Sequence, residues 1–259
     1  PWSSAVRRHA ATPAGDAAWR RTALLHGLGA TSALGALLTM AITHFSVWLF
    51  DRRRVQNAWF TVQALCAAYY PLFQTGESLR LAGSFDTSLL GLAVGLAAIA
   101  GVCFTYAAFE LGRPPRALGL AAAILVAAAL VFRDPFRQRE TLAPIVLVVV
   151  GGVVVFHVTA LARVVRKRPR PPNAVAMLVG WSIVFAVVLL DGATFAGKGG
   201  LLRGNRVGSW GLVLAVLAQA LAVGRVLVRS LARADDLNLE LADRVRLLES
   251  RKLEIETLN

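Results

Sequence analysis

The feature that most constrains this 259-residue chain is its alternation of long apolar runs with short charged loops as far as Val228, where charge abruptly returns. The apolar runs are each about 16 to 28 residues long, the length that a hydrocarbon core about 30 Å thick requires of an α-helix. They are rich in Ala, Leu, Val and Gly and lack period-two alternation, which disfavours a transmembrane β-barrel. Lipid cannot satisfy open backbone, so helices follow. Hydrophobic residues make up 56% of the chain and charged residues 17%, with a mean hydropathy of +0.59, beyond soluble norms.

The pattern predicts an all-α membrane protein: a seven-transmembrane helix bundle over 22–228 followed by a cytoplasmic parallel coiled coil over 229–259. Residues 1–21 read as an extracytoplasmic juxtamembrane linker. The spans fall near 22–50, 57–73, 89–109, 117–132, 142–161, 174–195 and 207–228, and a count of six is the alternative. The chain opens at Pro1 with neither Met nor a signal peptide and reads as a piece of something longer.

Orientation follows the Lys and Arg of the short loops. With the C-terminus inside, the inner loops hold Arg52, Arg53, Arg54, Arg113, Arg116, Arg163, Arg166, Lys167, Arg168 and Arg170, ten residues against seven in the outer loops. The N-terminus is therefore expected outside and the C-terminus in the cytoplasm. The net charge of +13 sits beside the spans and not on a separate polar domain. Anionic membrane lipids are the expected partners, and nucleic acid is not. Cys66 and Cys103 both lie in apolar runs, where a thiol behaves as a small hydrophobe and not as half of a disulfide.

Beyond Leu231 the chain alternates charges around an apolar stripe. Placing Ala234, Leu241, Leu248 and Ile255 at d puts Leu231, Asn238, Val245 and Lys252 at a, a short heptad register. Asn238 and Lys252 weaken the seam but favour one register, and a parallel homodimer is the simplest assembly they specify. A single exposed amphipathic helix is the alternative.

Ionisable groups at membrane depth are costly and attract a functional hypothesis. Those in the spans are His26, His44, His157 and Asp191, with the amides Gln63 and Gln219. Asp191 is the sharpest candidate for a cavity open to the outside, although a bond to another helix or to Arg203 or Arg206 accounts for it equally well. His44 and His157 are expected at headgroup level. The candidate ligand cavity is an outer-half site near Tyr69, Glu77, Asp191 and Arg203 that reaches down toward Trp181. Gly91 and Gly95 form a GxxxG pair, read as close packing within the molecule or between molecules.

Catalytic signatures are missing: the sequence has no HExxH, no GxSxG elbow, no Walker A loop and no cysteine-histidine metal cluster. Neither enzymatic activity, nor a metal, nor a cofactor is expected within these residues. The three lysines, Lys167, Lys198 and Lys252, all lie outside the spans, which excludes a retinal Schiff base.

HFSVWLFDRRRVQNAWFTVQAL across the first two spans, FELGRPPRALG after the third, RKRPRPPNAVAMLVGWSIV entering the sixth and GLVLAVLAQALAVGRVLVRSLARADDLNLELADRV leaving the seventh carry a resemblance. On these stretches the chain resembles the bacterial seven-transmembrane receptors with diverse intracellular signalling modules. The resemblance implies a receptor in the bacterial inner membrane that couples an unknown extracytoplasmic ligand or sensory domain, through the helices and coil, to a C-terminal effector such as a histidine kinase, diguanylate or nucleotide cyclase, or phosphatase. It carries no binding residue over, because the matching motifs concern packing and linkage. The competing readings are a six-span membrane anchor of a class III nucleotide cyclase and a small-molecule transporter.

Overall fold

The computed structural model describes residues 13–131, 135–167, 171, 173–195, 217, 220, 221, 224, 225, 228 and 232–250. Among these the regular elements are all helical, with no strand. Helix α1 is described over Pro13–Phe50. Residues 13–21 of the expected linker are therefore helical and continuous with the first apolar run.

A short turn at 51–54 leads into α2 (Val55–Thr75), which ends where Gly76 adopts φ 78° and donates its N–H to the carbonyl of Phe73. That left-handed conformation is the usual helix stop, and glycine enters it without steric cost. The segment after it, expected as loop, instead forms the short helix α3 (Glu77–Ala82) and a 3-10 turn, Gly83–Phe85. Six residues hold too few periods of apolar spacing for sequence patterning to reveal such a helix.

Helix α4 (Asp86–Ala108) follows, then α5 (Ala117–Val131), α6 (Pro135–Arg166) and α7 (Ala174–Phe195). Three stretches are long and apolar enough to cross a membrane: Gly27–Phe50, Asp86–Ala108 and Pro144–Arg166. Ala117–Val131 and Ala174–Ile183 are shorter apolar helical stretches. Of the expected seventh span only Leu217, Ala220, Leu221, Gly224, Arg225 and Val228 are described, all helical.

Helix α4 is the hub: it packs against α2, α5 and α6, while α1 packs on α2 and α7 on α6. Its glycines make this possible. A Cβ at Gly91 would meet Val146 of α6 at 2.9 Å, and one at Gly95 would run into Leu125 of α5. The GxxxG pair thus serves packing inside the molecule, facing two different helices. Phe60, Phe104, Leu37, Leu125, Leu161 and Met177 are fully buried around this hub, with Phe60 and Phe104 edge to face at 5.8 Å between centroids.

The described helices alternate in direction, so their connections gather at two ends. One end carries the 51–54 turn, the 109–116 loop and the start of α7, with Arg52, Arg53, Arg54, Arg113, Arg116, Arg163, Arg166 and Lys167. The other carries α3 and the start of α4. Residues 232–250 form a helix in which each described side chain is exposed.

Candidate functional site: polar groups between the helices

An apolar bundle exposes its functional groups by contrast, since each buried polar atom needs a partner. Three clusters stand out. At the α3 end, the Tyr69 hydroxyl donates to Asp86 Oδ1 at 2.8 Å, joining α2 to the first turn of α4. Asp86 is 6% exposed and stands in the first turn of α4. Sequence reasoning began the span at Leu89 and so left Asp86 in a loop; the Tyr69 it did name is the partner that gives Asp86 away.

At the basic end, His44 Nδ1 lies 2.9 Å from Asn57 Oδ1, and its ring sits 4.0 Å from that of Phe60. The Thr61 hydroxyl donates to the Asn57 carbonyl at 2.9 Å and reaches the Ala41 carbonyl at 3.4 Å, a second tie between α1 and α2. Nearby, Asp51 accepts from Arg54 Nε at 2.8 Å and from the Arg53 N–H at 3.2 Å. The Arg54 hydrogen bond, before any other influence, holds the Asp51 carboxyl below its ordinary value. Arg52 lies over the Trp48 ring at 4.4 Å, a cation–π contact suited to a headgroup region.

The third cluster is deeper. Thr105 Oγ1 of α4 is 2.6 Å from His157 Nε2 of α6, and the His157 ring packs against Trp181 of α7 at 4.1 Å between centroids. Trp181 in turn lies over Gly101, where a Cβ would meet its Cη2 at 2.6 Å and the Gln63 carboxamide carbon at 3.4 Å. His157 and His44, expected at headgroup level, are both inside the bundle. Their distance from the helix ends is too small to distinguish a residue turned toward lipid headgroups from one turned toward a neighbouring helix; the helix face decides.

The residues of the expected outer cavity are placed as follows. Tyr69 is half-buried on Asp86, and Glu77 is exposed at the same end, paired with Arg80 at 3.3 Å. Trp181 is buried against Gly101, which lies about 22 Å along α4 from Asp86 at 1.5 Å per residue. Tyr69 and Trp181 thus belong to separate clusters. Asp191 falls on α7, its side chain outside the described residues, as is the whole of Arg203. Of the coil seam, Ala234, Asn238, Leu241, Val245 and Leu248 are on the 232–250 helix and exposed, while Leu231, Lys252 and Ile255 lie outside the described residues. No group of His, Cys, Asp or Glu suited to a metal occurs among the described residues, and Cys66 and Cys103 are free thiols.

Among the described residues these clusters join helices to one another and display no nucleophile paired with a base. Comparison with curated proteins and with solved structures finds no match. Comparison with protein families does: residues 30–229, most of the chain, match the family model described as 7TM diverse intracellular signalling, and the chain belongs to that family of membrane receptor domains in signalling.

Proposed function

We propose that the chain is the receptor and transducer of a larger bacterial inner-membrane protein: seven spans with the N-terminus outside, passing an extracytoplasmic stimulus to a cytoplasmic effector. The effector is a kinase, a diguanylate or nucleotide cyclase, or a phosphatase, and the chain relays to it through a parallel coiled coil in a homodimer. The observation that carries this reading is the helix 232–250. Its Leu237, Leu239, Leu241, Val245, Leu247 and Leu248 are all exposed, within a stretch that also forms solvated intrahelical pairs such as Arg244–Glu240 at 2.5 Å. Exposed apolar side chains on a solvated helix lack the packing that gives most helices their stability, so a second copy covering Leu241, Val245 and Leu248 would supply it.

The stimulus enters at the end carrying Tyr69, Glu77 and α3, with Asp191 and Arg203 as further candidate residues, while Trp181 belongs to the separate cluster on Gly101 and takes no part in this entry. The reading is tested with single cysteines at 241 and 248 in a full-length protein whose Cys66 and Cys103 are replaced by Ala. Efficient disulfide cross-linking between copies at both positions is expected, with Leu241→Asp plus Leu248→Asp abolishing stimulus-dependent output. A monomer in nanodiscs, together with normal output from the double variant, would sink the relay.

A further inference from the structure

Helix α4 presents Gly101 and, one turn later, Thr105 to three other helices. The Trp181 ring from α7 and the Gln63 carboxamide from α2 meet over Gly101. His157 from α6 closes the group, with Nε2 on Thr105 and its ring on Trp181. All three side chains are more than nine-tenths buried, at 4%, 3% and 0% exposure for Gln63, Trp181 and His157. Yet Gln63 Oε1, Trp181 Nε1 and His157 Nδ1 each have no hydrogen-bond partner among the described residues.

Three orphaned polar atoms around two turns of one helix are out of keeping with a hydrocarbon-filled bundle, where each costs more than the bond that would satisfy it. Their chemistry is complementary to one ligand. The indole N–H donates only, the amide oxygen accepts only, and His157 Nδ1 does either, according to whether Thr105 donates to Nε2 or accepts from it. The group as described contains no carboxylate, lysine or arginine, so an ion is a poor fit and a neutral donor–acceptor molecule a good one.

We infer that Gln63, Trp181 and His157 enclose a buried hydration site, in which water accepts from Trp181 Nε1, donates to Gln63 Oε1 and bonds His157 Nδ1 in either tautomer. A water making three such bonds matches the usual coordination of structural water in protein interiors. It ties α2, α6 and α7 together beside α4 through a molecule that can exchange partners, so α7 can shift against α4 without stranding a polar atom. The site does not depend on the receptor reading.

The test is radiolytic hydroxyl-radical footprinting of the full chain in nanodiscs, in which a bound water labels the side chain beside it even when bulk solvent cannot reach it. Trp181 should be oxidised several-fold faster than the equally buried Phe60 and Phe104 after correction for intrinsic reactivity. Gln63→Met, which keeps the volume and removes the acceptor, should bring Trp181 down to their level. Labelling of Trp181 no faster than that of Phe60 and Phe104 in the unaltered chain overturns the site, and this readout stands even if the variant does not fold. Labelling that persists in Gln63→Met overturns the assignment of Gln63 as a ligand and with it the three-sided site. Thermal melting supplies an independent arm: Gln63→Met and Trp181→Phe should each lower the midpoint, with the double variant losing less than the two combined. A dry site predicts a raised midpoint for Gln63→Met, which keeps the volume and removes an orphaned polar atom, and effects that simply add in the double variant, since Trp181→Phe leaves a cavity in either case.

Discussion

The Tyr69–Asp86 bond concentrates more consequence in two side chains than any other contact between described helices at the α3 end. It is charge-assisted, it fixes the angle at which α4 begins, and it spans the segment containing α3. Tyr69→Phe leaves the Asp86 carboxylate without that donor and should cost about 1–2 kcal/mol, the upper range for polar ties between membrane helices. Reversible unfolding in mixed micelles would measure it, and a loss within error of zero would show that solvent already satisfies Asp86. Asp86→Asn should cost less, because the amide oxygen still accepts from Tyr69. A second residue-scale expectation concerns Asp51. Its carboxyl is held below the ordinary 3.8 in the folded chain, so its contribution is complete above that value and is lost as pH falls through the lowered one. The difference in thermal midpoint between the unaltered chain and Asp51→Asn should therefore be present at neutral pH and absent in strong acid; an equal difference at both would assign it to something other than the Arg54 hydrogen bond. At this scale the sequence was only partly informative. It named Gln63 and His157 among the polar groups of the spans, the latter at headgroup level, and Tyr69 and Trp181 as cavity candidates, yet spacing along a helix says nothing about which neighbour a residue meets, so the division into two clusters, and Asp86 itself, could be seen only in three dimensions.

Among the elements, α4 was legible as the clearest apolar run, but its role as hub rests on glycines whose partners the sequence does not name. Gly95 and Gly101 make a controlled comparison. Both substitutions to Ala gain roughly 0.5–1 kcal/mol from helix propensity. At Gly95 the intruding Cβ meets the terminal methyl of Leu125, which can rotate aside, whereas at Gly101 it meets the rigid ring of Trp181. Overpacking of the second kind costs about 1–3 kcal/mol. Gly101→Ala should accordingly destabilise by roughly 1–2 kcal/mol net of propensity, and Gly95→Ala by less, because the buried Leu125 can give part of the way. Equal effects in unfolding experiments would mean that α7 is free to retreat from α4. The same logic explains what patterning did and did not deliver. The sixth expected span, 174–195, coincides with α7 because a basic, proline-rich loop precedes it; α1 outran its expected start because Ala-rich sequence propagates a helix through charges that a hydropathy reading treats as a boundary.

For the molecule as a whole, charge divides the two ends. Arg52, Arg53, Arg54, Arg113, Arg116, Arg163, Arg166 and Lys167 gather at one, while the other carries the smaller set Arg20, Arg21, Arg80, Arg137 and Arg139 together with Glu77, Asp86 and Glu140. On the proposed topology the basic end faces the cytoplasm, where anionic lipid and the insertion machinery would both favour it, and the Arg52–Trp48 contact would give that end an interfacial anchor. The opposite end, with the exposed α3 and the Tyr69–Asp86 bond, then faces outward, which is where a receptor must be reachable. Single cysteines in place of Arg53 and Arg80, in a background with Cys66 and Cys103 changed to Ala, convert this into a measurement on whole cells. An impermeant maleimide should label position 80 directly and position 53 only after the inner membrane is opened. Both positions labelled from outside would mean that α2 does not cross, and the reverse pattern would invert the receptor and place its stimulus in the cytoplasm. The polar composition of α2, which includes Gln56, Asn57, Thr61, Gln63 and Gln74, makes it the helix on which this outcome turns. Most of those side chains are absorbed between α1 and α4 and need not face lipid, so α2 is expected to cross as an interior helix shielded by its neighbours.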